Sequence, residues 1–261
     1  MAASGLIAVE GLNHTFGGKV NALEDVSFTV APGEFVSIVG PSGCGKTTAL
    51  NIVAGLVPLE HGTVTIDGAT PRAGRHDVAY MLARDCLFPW LTALENAELG
   101  NAFRDMPKEE RRAKAIQLLD SVGLRDFKNA YSKELSHGMR QRVALARTFS
   151  MPSPCLLMDE PFGALDAQTK LQLESLLLEL WSRERRSVIF ITHDLNEAVL
   201  MSDRVIVMSA RPGRIVADIP IPLERPRSVR SLQKDPRFHE LYAQIWEKLE
   251  YGVFDTNMAE Q

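Results

Sequence analysis

The sequence predicts an α/β fold: a parallel sheet covered by helices, with an antiparallel edge sheet and an inserted helical lobe. Three observations carry this. Short apolar, β-branched runs alternate with helical patterns, as strands buried on both faces do. Shorter N-terminal stretches alternate or end in turn signals. A middle segment is rich in helix formers. The length of 261 residues supports one large domain, or one with an inserted or appended lobe, and a sizeable core.

In chain order, Ala8 to Leu12, Val26 to Val30 and Val64 to Ile66, punctuated by Pro32-Gly33 and Asp67-Gly68, suit the antiparallel sheet. The core strands are expected at Phe35 to Val39, Cys155 to Met158, Val188 to Thr192 and Val205 to Met208. Leu173, Leu176, Leu177, Leu180 and Trp181 repeat at helical spacing and predict a core-facing helix. Residues 87–150 form the helical lobe, with Ala115, Leu118, Leu119 and Val122 as one apolar stripe. Residues 1–86 and 151–220 form the core. After Ser209 the chain turns proline- and arginine-rich, and residues 221–261 form an extension. In it Asp235 as N-cap and Pro236 at the first helical position open a last helix carrying Phe238, Leu241, Ile245 and Leu249.

The composition, 45% hydrophobic and 24% charged, excludes collagen, disorder and disulfide scaffolds. With 29 basic against 33 acidic side chains the net charge is -4, which offers no basic field for nucleic acid. No apolar run approaches the roughly 18 residues of a spanning helix, and the start, MAASGLIAVEGLNHTF, lacks the regions of a signal peptide, so the chain is expected to stay out of the bilayer. Cys44, Cys86 and Cys155 stand apart and are expected to be reduced structural thiols. The six histidines show no metal-site grouping.

GPSGCGKT, Gly40 to Thr47, follows the Phe35 to Val39 strand and precedes the helical TTALNIVAGL, the context that a phosphate-binding P-loop requires. Backbone N–H groups of Gly40, Ser42, Gly43, Cys44 and Gly45 would point inward to a polyphosphate, and the helix N-terminus would add positive potential. Lys46 would reach the β- and γ-phosphates of ATP, and the Thr47 hydroxyl would ligate Mg²⁺. CLLMDE, Cys155 to Glu160, ends an apolar strand in two carboxylates, which are costly at a buried strand end unless a cation or a proton transfer uses them. Asp159 suits Mg²⁺, and Glu160 suits polarisation of the water that attacks the γ-phosphate.

ELSHGMRQRVALART, Glu134 to Thr148, resembles the signature segment of the ATP-binding cassette (ABC) ATPases. The P-loop, Asp159-Glu160, Ala164-Leu165-Asp166 and Ile191-Thr192-His193-Asp194 stand in that family's order and approximate spacing, so the resemblance covers nearly the whole chain. It implies a P-loop (RecA-like) core. It also implies that Ser136 and the Gly138 backbone clamp the γ-phosphate of ATP held by an opposite subunit, so that two chains sandwich two ATPs. By the same resemblance Phe16, in HTFGG, stacks on adenine, the alternative being core packing. Thr48 lies near the α-phosphate, Asp166 organises the dimer contact and the attacking water, and His193 is the switch histidine on the γ-phosphate.

Two positions depart from the family. Where its loop between core and lobe carries a glutamine that touches Mg²⁺ and the water, this chain has Ala83, in AYMLARDCLFPWLTALEN. The first glycine of the signature is His137. Leu87 to Thr92, with Met208 to Ile215 and the tail helix, looks most like the importer subfamily for nitrate, taurine, alkanesulfonates and pyrimidine precursors. There the exposed apolar loop seats a short helix of the membrane partner; the alternative is that Phe88 and Trp90 close the lobe's own core. The resemblance therefore implies an ATP-hydrolysing importer subunit, peripheral on the cytoplasmic face, with a second ATPase subunit (a homodimer), transmembrane permease subunits, and indirectly a solute-binding protein as partners, and no nucleic acid. A regulatory subunit that binds nucleotide without hydrolysis, kept open by Ala83 and His137, and a non-transport ABC ATPase are the rival readings.

Overall fold

Two sheets with a helix between them carry the structure, a computed structural model that describes residues 5–163, 165–232 and 234–258, with side chains described except at 230 and 253–258. Ala164 of the Ala164-Leu165-Asp166 segment and the first four residues of the N-terminal start lie outside the described residues. In chain order the elements are β1 (Ile7–Phe16), β2 (Val20–Val30), β3 (Phe35–Val39), α1 (Lys46–Val53), β4 (His61–Ile66) and β5 (Val78–Met81). Three helices follow, α2 (Ala93–Ala102), α3 (Lys108–Ser121) and α4 (His137–Ser150). The chain then alternates through β6 (Cys155–Asp159), α5 (Ala167–Glu184), β7 (Ser187–Ile191), α6 (Leu195–Met201), β8 (Arg204–Met208) and β9 (Ile215–Pro220). Helices α7 (Val229–Leu232) and α8 (Pro236–Met258) end it.

Strands β2, β1 and β4 pair antiparallel as a sheet of their own, with Ile7 opposite both Val30 and Ile66. The main sheet has the order β5-β6-β7-β3-β8-β9, parallel except for β9 against β8. Every residue of β3, β6 and β7 is buried, which is why these strands read as unbroken apolar runs. Because the three run parallel, the chain leaves all of them on the same edge of the sheet, the place where open α/β sheets bind ligands.

Strands β5 and β9 were absent from the sequence expectation. β5 has four residues and alternates only twice between burial states, too short a period to read. β9 lies in the proline- and arginine-rich stretch and ends at Pro220, tolerable on an edge strand. β7 covers Ser187–Ile191, so Thr192 lies just past the strand.

One apolar cluster, built around Phe35, Phe190 and Trp181, joins the outer face of the main sheet to the lobe and to α5, and includes Ala115, Leu119 and Val122 of the predicted stripe. The second fills the space between the sheets and buries Leu50, Ile52 and Val53 of α1. Asp235 Oδ1 accepts from Arg237 N at 2.9 Å, the predicted cap, and α8 buries Phe238 and Ile245 against the core. Cys44 and Cys155 are buried, but Cys86 is exposed, so only two of the three thiols lie in the core. Among the described residues no helix is long and apolar enough to cross a membrane.

Candidate nucleotide site

Helix α1 begins differently from its neighbours. Ser136, Asp166 and Asp194 cap α4, α5 and α6 by accepting from Met139 N, from Gln168 N and Thr169 N, and from Asn196 N. α1 has Gly45 as N-cap and no side-chain acceptor, which leaves its first N–H groups for a ligand. Gly45 has φ 104, and a Cβ there would come within 2.6 Å of Leu23 Cδ2, so only glycine lets the loop turn against β2. Lys46 is buried and its Nζ donates to the carbonyls of Gly40 at 2.8 Å and Pro41 at 3.0 Å, folding the ammonium back over the loop. Ser42, Gly43 and Thr47 are exposed, Thr48 is half-buried, and Arg211 from the β8–β9 turn holds the Gly43 carbonyl at 3.0 Å.

Across the sheet, Thr47 Oγ1 donates to Asp159 Oδ1 at 3.1 Å, joining residues 112 positions apart. Burial raises the Asp159 carboxyl above its ordinary value, and the Glu160 charge adds to this, while the Thr47 hydrogen bond and Lys46 oppose it. A divalent cation here would reverse that cost. The oxygen pair fits one: cis ligands of an octahedral Mg²⁺ at 2.0–2.1 Å lie about 2.9 Å apart. Among the described residues no group of three or more His, Cys, Asp or Glu could hold a metal by itself, so such an ion would need phosphate and water to complete its shell.

Glu160 adopts φ 44, the left-handed region, which swings its side chain out of the strand line; its N–H donates to Ile191 O at 2.9 Å. His193 Nδ1 stands 3.3 Å from Glu160 Oε2, with both side chains partly exposed at the strand ends. The segment after β7 is held from behind by Lys170, which reaches Asp194 and Glu197 at 2.6 Å each, while Thr192 Oγ1 donates to Glu197. Lys170 lies one turn into the helix that Asp166 caps, so the Asp166 and His193 segments share one ionic anchor. Lys170 was not foreseen, because nothing local in the sequence distinguishes it from a solvated surface lysine.

Ser136 and Gly138 stand at the start of α4 in the lobe and make no hydrogen bond to the P-loop among the described residues. A Cβ on Gly138 would meet Thr169 Cγ2 at 2.7 Å, so this glycine lets α4 approach the first turn of α5 beside Asp166. Asp166 is exposed, and its carboxyl is held below the usual range by the Thr169 hydroxyl first and then by the Thr169 and Gln168 amides that it caps. Phe16 ends β1 at 48% exposure, touching buried His14 edge-on at 4.6 Å, so it stands outside the set of buried core residues. His137 is half-buried at the first position of α4.

Ala83 is exposed just past β5, and its carbonyl accepts from Gln141 Nε2 at 3.4 Å. Asp85 pairs with Arg140 at 3.0 Å, and Arg147 donates to the carbonyls of Asp85 and Cys86. Arg140 and Arg147 are two turns apart on one face of α4, so the loop is riveted to the signature helix. Buried Asn96 bonds the backbone of Phe88, Leu91 and Thr92, which holds Phe88 and Trp90 out at 40% and 68% exposure with their rings 5.2 Å apart. They do not close the core of the lobe.

Comparison with known proteins places this geometry among relatives. A family model described as ABC transporter matches residues 23–163. An uncharacterized ABC transporter ATP-binding protein, YtlC of Bacillus subtilis, is 42% identical over 92% of this chain and 94% of its own length. A taurine import ATP-binding protein, TauB of Rhizobium johnstonii, is 42% identical over 88% and 89%. Among solved structures, the dimeric ATP-binding cassette MJ0796 in a post-hydrolysis state with ADP and Pi superposes with a TM-score of 0.73 at 32% identity, covering 84% of this chain and all of that one.

Proposed function

This chain belongs to the ABC transporter family as an ATP-hydrolysing cassette, and from that premise we propose that it powers an importer, two copies closing around two ATPs to drive a separate membrane permease. A relative named as a taurine import ATP-binding protein and a dimeric structural neighbour support the finer reading. Residues 1–86 and 151–220 make the nucleotide-binding core, 87–150 the signature lobe, and 221–261 the extension. Phe88 and Trp90 form the permease contact, which sets the subunit on the cytoplasmic face.

The observation that carries the hydrolytic role is the meeting of Glu160 and His193 at 3.3 Å at the ends of adjacent strands, beside the P-loop. Lys46, released from the Gly40 and Pro41 carbonyls, binds the β- and γ-phosphates, and the uncapped N–H groups of α1 take the remaining oxygens. Thr47 and Asp159 would hold Mg²⁺, which would neutralise charge on the phosphates. Glu160 accepts a hydrogen bond from the attacking water and so polarises it, and His193 orients Glu160 and contacts the γ-phosphate. Phe16 covers adenine and Thr48 the α-phosphate. Ser136 and Gly138 close on the ATP of the opposite subunit, where Asp166 meets the interface.

Two variants test the roles by failing differently. Glu160→Gln retains ATP binding and accumulates an ATP-bound dimer in sedimentation, whereas Lys46→Ala loses affinity for ATP itself. Equal loss of binding in both would refute the assignment. Absence of phosphate release from Mg-ATP by the wild-type chain, free or joined to its permease, would favour the regulatory reading.

A further inference from the structure

We propose that the cavity between α5 and the C-terminal extension is a binding site for a small phosphate monoester, separate from the ATP site. The cavity has a volume of about 680 Å³ and lies between the second half of α5 and the segment Arg225 to Val229. That volume is within the range of small-ligand sites.

Charge selects the ligand. Arg225 donates to Asp203 Oδ1 at 2.8 Å and to Met201 O at 2.7 Å. Arg227 gives its donors to the carbonyls of Val199, Leu200, Ser202, Ile221 and Leu223 and approaches Asp203 only at 4.0 Å. Arg185 has no carboxylate partner among the described residues; its guanidinium rests 4.7 Å from the centroid of Trp181, and that of Arg225 rests 4.2 Å from the same ring. Glu179 also faces the cavity, but Arg183 engages it at 2.5 Å. Of the three guanidinium groups that line the cavity, Arg185 is thus the one still open to a ligand: Arg225 shares its charge with Asp203, and the buried Arg227 contributes its charge from behind with its donors spent on carbonyls. Burial lowers the Arg227 pKa to about 10, with the Arg225 charge adding, so Arg227 remains protonated at neutral pH.

The aromatic face holds the like charges together, but it does not neutralise them. Arg185, Arg225 and Arg227 against Asp203 leave a net of two positive charges, which matches the near-dianionic head of a phosphate monoester at neutral pH, and the Arg185 fork suits phosphoryl oxygens. The hydroxyls of Ser182 and Ser228 border the same space. Inorganic phosphate alone would leave the apolar wall of Leu178 and Val229 uncovered, which is the reason for assigning an ester with an organic body. An occupant would bridge α5, whose first turn is capped by Asp166, to the extension.

The test uses the full chain saturated with Mg-ADP, so that the P-loop is filled, and measures binding by calorimetry and melting temperature. Phenyl phosphate is the probe, with inorganic phosphate and benzyl alcohol as the two partial probes. The expected result is binding of phenyl phosphate at least tenfold tighter than either partial probe. Arg185→Glu, which supplies a carboxylate beside Arg225, should weaken it tenfold or more without lowering the ligand-free melting temperature; Arg185→Gln serves if that variant does not fold. Absence of binding, unchanged binding in the Arg185 variants, or equal affinity for either partial probe overturns the proposal.

Discussion

Glu174, on α5, is 3% exposed, and burial with the nearby Glu197 charge raises its pKa to about 7, Lys170 opposing. The unfolded carboxyl titrates near the ordinary glutamate value of 4.5, so between the two values the native state holds the extra proton. Stability contributed by this group is therefore present below that window and is lost as pH rises through it, by up to ~3 kcal/mol. Urea unfolding of wild type between pH 5 and 8 should show that decline, and Glu174→Gln should flatten it; parallel curves for the two would discard the assignment. At Phe16 the reading is adenine stacking, so Phe16→Ala should raise the ATP dissociation constant by an amount worth about 1 kcal/mol, with Phe16→Tyr nearly silent. Because the ring is half exposed, the melting temperature should hardly change; the opposite pattern would make Phe16 structural. Phe16 was singled out because an aromatic before Gly17-Gly18 resembles a family position. Glu174 was not, since a glutamate at helical spacing reads as solvated until its neighbours are known.

At the scale of elements, the loop after β5 carries the clearest departure from the family. The Asp85 carboxylate is already engaged by Arg140 and the Leu87 N–H, so it does not replace the missing glutamine, and a methyl at Ala83 can neither ligate a cation nor orient water. Ala83→Gln should accordingly raise kcat for ATP in the assembled transporter with little change in ATP affinity. Unaltered turnover would mean that the loop has been replaced by another device. The substitution itself was readable at the sequence level. Its mechanical setting was not: Arg140, Gln141 and Arg147 look like ordinary signature-helix residues until β5 delivers the 83–87 loop against that face. The capped start of α8 was readable in Asp235-Pro236, because a cap is made by residues two or three positions apart.

For the whole molecule, the extension is fastened to the core by α8 and by Arg227, whose side chain is 1% exposed and bonds five carbonyls from the end of α6 through the segment after β9. Arg227→Ala strips those acceptors of a charged partner and should cost ~3 kcal/mol or more, seen as a lower melting temperature and faster proteolysis within residues 221–258. An unchanged digestion pattern would show that α8 alone suffices. The sequence by itself determined the family and its ATPase class: the P-loop, the strand-end carboxylate pair and the signature segment are each written in a few contiguous residues. It also determined the α/β class, because apolar periodicity is a local property. Only the tertiary structure decided the strand order, the short β5 and the edge strand β9. It alone brought Thr47 to Asp159, Asp85 to Arg140, Lys170 to Asp194, and three arginines to one cavity. The physical reason is that a side chain's type states what it can bond, whereas its partner is chosen by the packing of distant apolar surfaces, to which the polar residues themselves contribute almost no readable pattern.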